Sequence, residues 1–68
     1  MARGRIKWYS AALGYGFIVP DDGGVKVLVH HEDIAGGKES KSLENVAQVA
    51  YKAAWGQEGL EAKNVSEV

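Results

Sequence analysis

The sequence contains no cysteine, so neither a disulfide nor a thiolate metal site can supplement its core. That fits a reducing compartment. The same absence removes one common nucleophile, and the serines fall in turn- or loop-like stretches with no His–carboxylate partner, so an enzyme is not expected. No apolar run approaches the roughly 18 residues of a membrane span. Met1-Ala2-Arg3-Gly4-Arg5 leads into a strand instead of the apolar region of a signal peptide. A soluble, cytoplasmic protein without a membrane partner is expected. An excess of positive charge is also missing, with eight Lys and Arg against nine Asp and Glu and a net charge of -1. This opposes an indiscriminate binder of polyanions.

What is present is globular: 46% hydrophobic and 25% charged residues over 68 positions describe one small domain, residues 1–68, not a disordered chain. A chain of this size buries only about 60% of its unfolded surface, so its stability is modest. Charge is unevenly spread. Residues 1–20 hold Arg3, Arg5 and Lys7 and no acid, whereas residues 35–68 hold four lysines and five glutamates. The basic end coincides with Lys7-Trp8-Tyr9 and Gly14-Tyr15-Gly16-Phe17-Ile18, which contain four of the six aromatic residues.

Arg5–Tyr9 reads as a first strand and Gly14–Val19 as a second, ended by the turn signal Pro20-Asp21-Asp22-Gly23-Gly24. Alternation puts Tyr15 and Phe17 on one face and Gly14, Gly16 and Ile18 on the other. Two rings with almost no side chain between them make a stacking surface, whereas the flipped strand would leave the glycines on the solvent face. The third strand runs from Val25 to His30 or His31, antiparallel to the second, with Val25, Val27 and Val29 inward and Lys26, Leu28 and His30 outward beside the rings. Ala35–Ser42 reads as a long loop. Leu43–Trp55 is ambiguous: Leu43, Val46, Ala47, Ala50, Tyr51 and Ala54 fit a helix, while Val49, Tyr51, Ala53 and Trp55 fit a strand. Residue by residue, the helix is favoured. Gly56-Gln57-Glu58-Gly59 is a turn, and Leu60–Val68 a last strand of weak alternation. His30-His31-Glu32-Asp33 invites a metal reading, but adjacent strand residues point to opposite faces and no second ligand cluster exists, so no metal is expected.

Lys7-Trp8-Tyr9, Gly14-Tyr15-Gly16-Phe17-Ile18 and Val27-Leu28-Val29-His30, in that order, resemble the cold-shock domain family. The likeness runs from Gly4 to Val65, with Ala62-Lys63-Asn64-Val65 similar to the family's closing strand. A related aromatic pattern occurs in RRM domains, but those are longer and carry two helices. The resemblance implies an all-β, five-stranded antiparallel Greek-key barrel of the OB-fold type, with residues 46–54 as its fourth strand and Val49, Tyr51 and Ala53 facing the core. It also implies binding of single-stranded RNA and DNA, as in an RNA chaperone, by a monomer needing no cofactor and no small-molecule substrate.

By position, the resemblance assigns base and phosphate contacts to Lys7, Trp8, Tyr15, Phe17 and His30, with Lys26, Leu28 and His31 around them. Arg5 is a weaker phosphate candidate. Tyr51 is assigned to the core and Trp55 to rim packing. The chain departs from the family pattern at Leu13, where lysine is usual, and at Leu28 and His31, where phenylalanine is usual. A phenylalanine expected near Glu39 or Ser40 is missing, and Glu58 stands where arginine or another polar residue is usual. Binding at reduced affinity is therefore expected. The competing reading is an OB-type interaction or structural domain that has lost most nucleic-acid binding.

Overall fold

The computed structural model describes residues 1–34 and 48–68. Five strands, β1 (Ala2–Ser10), β2 (Tyr15–Pro20), β3 (Val27–His30), β4 (Gln48–Gly56) and β5 (Gly59–Glu67), close into a barrel in the order β1-β2-β3-β5-β4. Four of the pairings are antiparallel. The seam is the exception: β3 meets β5 in parallel at Leu28 and Glu61, and Ile34 extends that seam by bridging Val65 in parallel. Parallel contact at the seam follows from the strand order, since β5 returns to β3 only after running back along β4. A 3-10 turn, His31–Asp33, leads off β3. It is tied to β5 by Lys63, whose Nζ lies 3.4 Å from Asp33 Oδ2 and 3.5 Å from Glu61 Oε1. The hydrogen bond to Asp33 holds the Lys63 ammonium above the usual lysine value.

Branched aliphatic residues fill the interior, with Ile18, Val27, Val29, Val49 and Val65 joining Tyr51 among the fully buried side chains. Two irregularities decide which residues they meet. Between Ile6 and Trp8 the β1–β2 register shifts, so that Ile6 pairs with Ile18 but Trp8 with Phe17. Lys7 is the extra residue of a β-bulge, which twists the strand and lets consecutive residues share a side. Lys7 and Trp8 both face outward as a result, and Tyr9 turns into the core at 6% exposure.

The second shift lies between Ala50 and Lys52, opposite Ser66 and Lys63. Here the surplus residue is on β5, where Asn64 adopts a left-handed φ of 53°. Asparagine tolerates that region better than most residues. The bulge explains why Ala62 and Val65, three apart, are both buried. The weak alternation of the last strand is a bulge, not an absence of pattern.

Three expectations are corrected. The residue-by-residue preference for a helix fails, and the fourth strand that the resemblance implies is found: residues 48–55 are strand, because the antiparallel ladders to β1 and β5 supply hydrogen bonds that a short alanine-rich helix lacks neighbours to replace. Residues 43–47, and the loop expected over 35–42, lie outside the described residues. Ala53 does not face the core: past Tyr51 the strand leaves the barrel wall, and residues 52–56 are exposed. Val25 is likewise outside, 73% exposed, because β3 starts only at Val27. The preceding turn is held by Gly23 N donating to Pro20 O at 3.0 Å and Gly24 N to Asp22 Oδ1 at 2.9 Å.

Tyr51 carries a pH consequence. Burial, followed by the negative charges of Asp22 and Asp21, raises its phenol above the ordinary 10.0. The fold thus favours the neutral phenol, a contribution intact below pH 10.0 and lost as pH rises through the raised value. Tyr51→Phe removes the ionisation while keeping the ring, so its alkaline unfolding midpoint, followed by circular dichroism, should lie above that of the parent. Coincident midpoints would rule out this coupling.

Candidate nucleic-acid interface

Cross-strand pairing builds the outer face of β1, β2 and β3 in two rows. Trp8 is opposite Phe17, which is opposite Leu28; Ser10 is opposite Tyr15, which is opposite His30. Trp8 is 44% exposed, and Tyr15, Phe17, Leu28 and His30 are half-buried. The three rings touch one another. Trp8 meets Tyr15 edge-on at 5.4 Å between centroids and 67°, and Phe17 at 5.9 Å and 33°. Tyr15 and Phe17 are 6.4 Å apart at 89°. Such edge and tilted contacts suit the aromatic quadrupole and fix the rings against one another. Lys26 Nζ stands 5.5 Å from the Phe17 centroid, within cation–π range, which holds its charge over the face.

The face continues into a groove of about 520 Å3. Tyr15, Phe17, Leu28 and His30 line it from the barrel, Lys26 sits at its edge, and Trp55, Glu58 and Leu60 of the β4–β5 hairpin form the opposite side. Of the residues expected from sequence, five therefore converge on one groove. Trp8 joins them through its ring contacts, and Lys7 lies outward beside it on the bulge. His31 is not brought into the groove. Its N donates to Gly14 O at 2.9 Å and its ring covers Gly14, where an added Cβ would stand 3.0 Å from His31 Cδ2. Leu13 is 63% exposed in the turn before β2, its N donating to Ser10 Oγ at 3.1 Å. Glu39 and Ser40 lie outside the described residues.

Trp55, a rim-packing residue by expectation, is 80% exposed and shares the groove with the rings. Its signal in sequence was present but incomplete: a tryptophan just before a Gly-x-x-Gly turn sits at a hairpin tip, and nothing in the spacing shows which strands that tip faces.

A closed five-stranded barrel with outward rings on its first and second strands, basic residues beside them and a groove alongside defines a nucleic-acid-binding barrel of the OB class. The model of the 'Cold-shock' DNA-binding domain matches residues 2–68. The chain belongs to the cold-shock domain family, a family of stress-response nucleic-acid-binding proteins and not of enzymes. It is 40% identical to the major cold shock protein of Micrococcus luteus over 68 residues, covering 100% of both chains. It is also 40% identical to a cold shock protein of Arthrobacter globiformis over 66 residues, 97% of each chain. To the cold shock-like protein CspA of Stigmatella aurantiaca it is 37% identical over 68 residues, 100% of this chain and 98% of the relative.

Proposed function

We propose that this protein binds single-stranded RNA and DNA by stacking successive bases on Trp8, Tyr15 and Phe17, with Lys7 and Lys26 meeting phosphates and Leu28 and His30 pressing on base edges. The observation that supports this most directly is the outward three-ring cluster with its lysine. Every base has a π-face, so stacking holds strands of varied sequence. Binding only the unpaired form shifts a transcript's folding equilibrium by mass action, which is chaperone activity in the cytoplasm without ATP or a cofactor.

Affinity is lower than a fully ringed face would give. Leu28 occupies a groove position that a ring would use for stacking, His31 is directed to Gly14, and Leu13 and Glu58 supply no positive charge. A ring contributes about 1–3 kcal/mol per base, and about 1.4 kcal/mol is tenfold. Titration of a fluorescent uridine-rich oligonucleotide at low salt should show saturable binding that weakens in Trp8→Ala. The combined Leu13→Lys, Leu28→Phe and His31→Phe variant should bind roughly tenfold tighter or more. Absence of saturation would favour an interaction domain instead, and an unchanged triple variant would refute the reduced affinity.

A further inference from the structure

We propose that the β4–β5 hairpin adds a nucleobase subsite to the interface. Trp55 stacks on a base entering the groove, and the Glu58 carboxylate reads that base's edge, favouring bases that carry an exocyclic amino group. This rests on the single-strand reading above.

The hairpin is built to project. Past Tyr51 the strand is exposed, and Trp55 pairs with Leu60 while Gly56 pairs with Gly59, leaving Gln57 and Glu58 at the tip. Leu60 packs against the core, whereas Trp55, at 80% exposure, is no part of it. A tryptophan that contributes nothing to the core still lines the groove opposite Phe17, Leu28 and His30. The occupant follows from continuity: the groove shares Tyr15, Phe17, Leu28 and His30 with the stacking face, so the next base of a strand lying on that face reaches it first. A groove of about 520 Å3 lies within the range of small-ligand clefts.

Charge sets which part of the nucleotide enters. Lys26 stands at the barrel edge of the groove, over Phe17, while Glu58 lines the hairpin side and shares a second depression with Glu61 and His30. Among the described residues Glu58 has no ion-pair partner; Glu61 is engaged by Lys63. Phosphate is repelled from the hairpin side and attracted to Lys26, so the base is what faces Glu58. An ionised carboxylate only accepts hydrogen bonds. Amino groups of cytosine and adenine supply a donor, whereas uracil and thymine present a carbonyl at the equivalent edge.

The protein has two tryptophans, which makes the test direct. In Trp8→Phe, Trp55 is the sole tryptophan, and its fluorescence should be quenched saturably by a short cytosine oligonucleotide. In Trp55→Phe, Trp8 reports on the stacking face. Quenching of Trp8 with a silent Trp55 would overturn the subsite and leave single-strand binding standing; silence from both would overturn both. Trp55→Ala should weaken binding roughly fivefold or more without changing the circular dichroism spectrum. Glu58→Gln, whose amide offers both a donor and an acceptor, should lower the ratio of cytosine to thymine affinity by about threefold or more. A ratio that does not move would overturn the edge reading.

Discussion

Phe17→Ala is expected to weaken binding of a uridine-rich single strand by about tenfold to a hundredfold, the largest loss from any single ring on this face. Phe17 is the ring that the others share. Trp8 and Tyr15 both pack on it, Leu28 is its cross-strand partner, and Lys26 is poised over it. Its removal deletes one stacking surface of about 1–3 kcal/mol. It also frees two rings from contacts of about 0.5–1.5 kcal/mol each, so they must be reordered when a strand binds. The core should tolerate the change, because Phe17 is half-buried on the outer face while its neighbour Ile18 fills the interior. Anisotropy titration at fixed salt, beside Phe17→Tyr as a ring-preserving control, checks this. An alanine variant that binds within twofold of the parent would mean that the strand crosses elsewhere.

The face was legible in the sequence where strict alternation falls inside a paired strand, as it does not at Val25, which precedes β3. Tyr15 and Phe17 against Gly16 and Ile18, and Leu28 and His30 against Val27 and Val29, came out on the sides expected. Legibility ended where the ladder slips. Period-two counting from Ile6 alone would put Trp8 inward and Tyr9 outward; Trp8 is outward, as expected from the resemblance, because the bulge at Lys7 reverses both. The bulge at Asn64 likewise brings Ala62 and Val65 to one side. A bulge is a property of two paired strands, so one strand read alone does not contain it.

Residues 48–55 show a different limit. Alanine spacing suits a helix locally, and the ladder partners that decide for strand lie tens of residues away in sequence. Trp55 combines both limits. Its exposure follows from the strand leaving the barrel after Tyr51, and its place in the groove follows from the closing of β5 onto β3. The bulges and this departure are what turn a row of rings on two strands into a face bounded by a hairpin.

Gly16→Ala is expected to be a severely damaging methyl addition on the inner side of β2, directly behind the ring face, and its reason lies in the Lys7 bulge. With Tyr9 turned inward opposite Gly16, a Cβ at Gly16 would stand 2.7 Å from Tyr9 Cα and 2.8 Å from Tyr9 Cδ1, and closer still to the Trp8 carbonyl oxygen. Two of these neighbours are backbone atoms inside a paired strand, so relief requires β1 and β2 to separate. Overpacking of this kind costs about 1–3 kcal/mol, occasionally more. A chain this size is stabilised by only about 3–10 kcal/mol at typical per-residue values. A cost of about 3 kcal/mol corresponds to a fall in Tm of roughly 12–24 °C.

Gly23→Ala separates crowding from backbone strain. Gly23 has a φ of +81° but nothing within 4 Å of an added Cβ, so only the left-handed conformation is penalised. That costs about 1–2 kcal/mol and lowers Tm by roughly 4–16 °C. Gly16→Ala should therefore melt below Gly23→Ala, and it alone should also lose oligonucleotide binding at temperatures where it is still folded, because Trp8 and Phe17 are displaced with their strands. A Gly16→Ala protein that melts with the parent would mean that Tyr9 does not lie over Gly16, and the inward turn of Tyr9 and the outward placement of Trp8 would fall together.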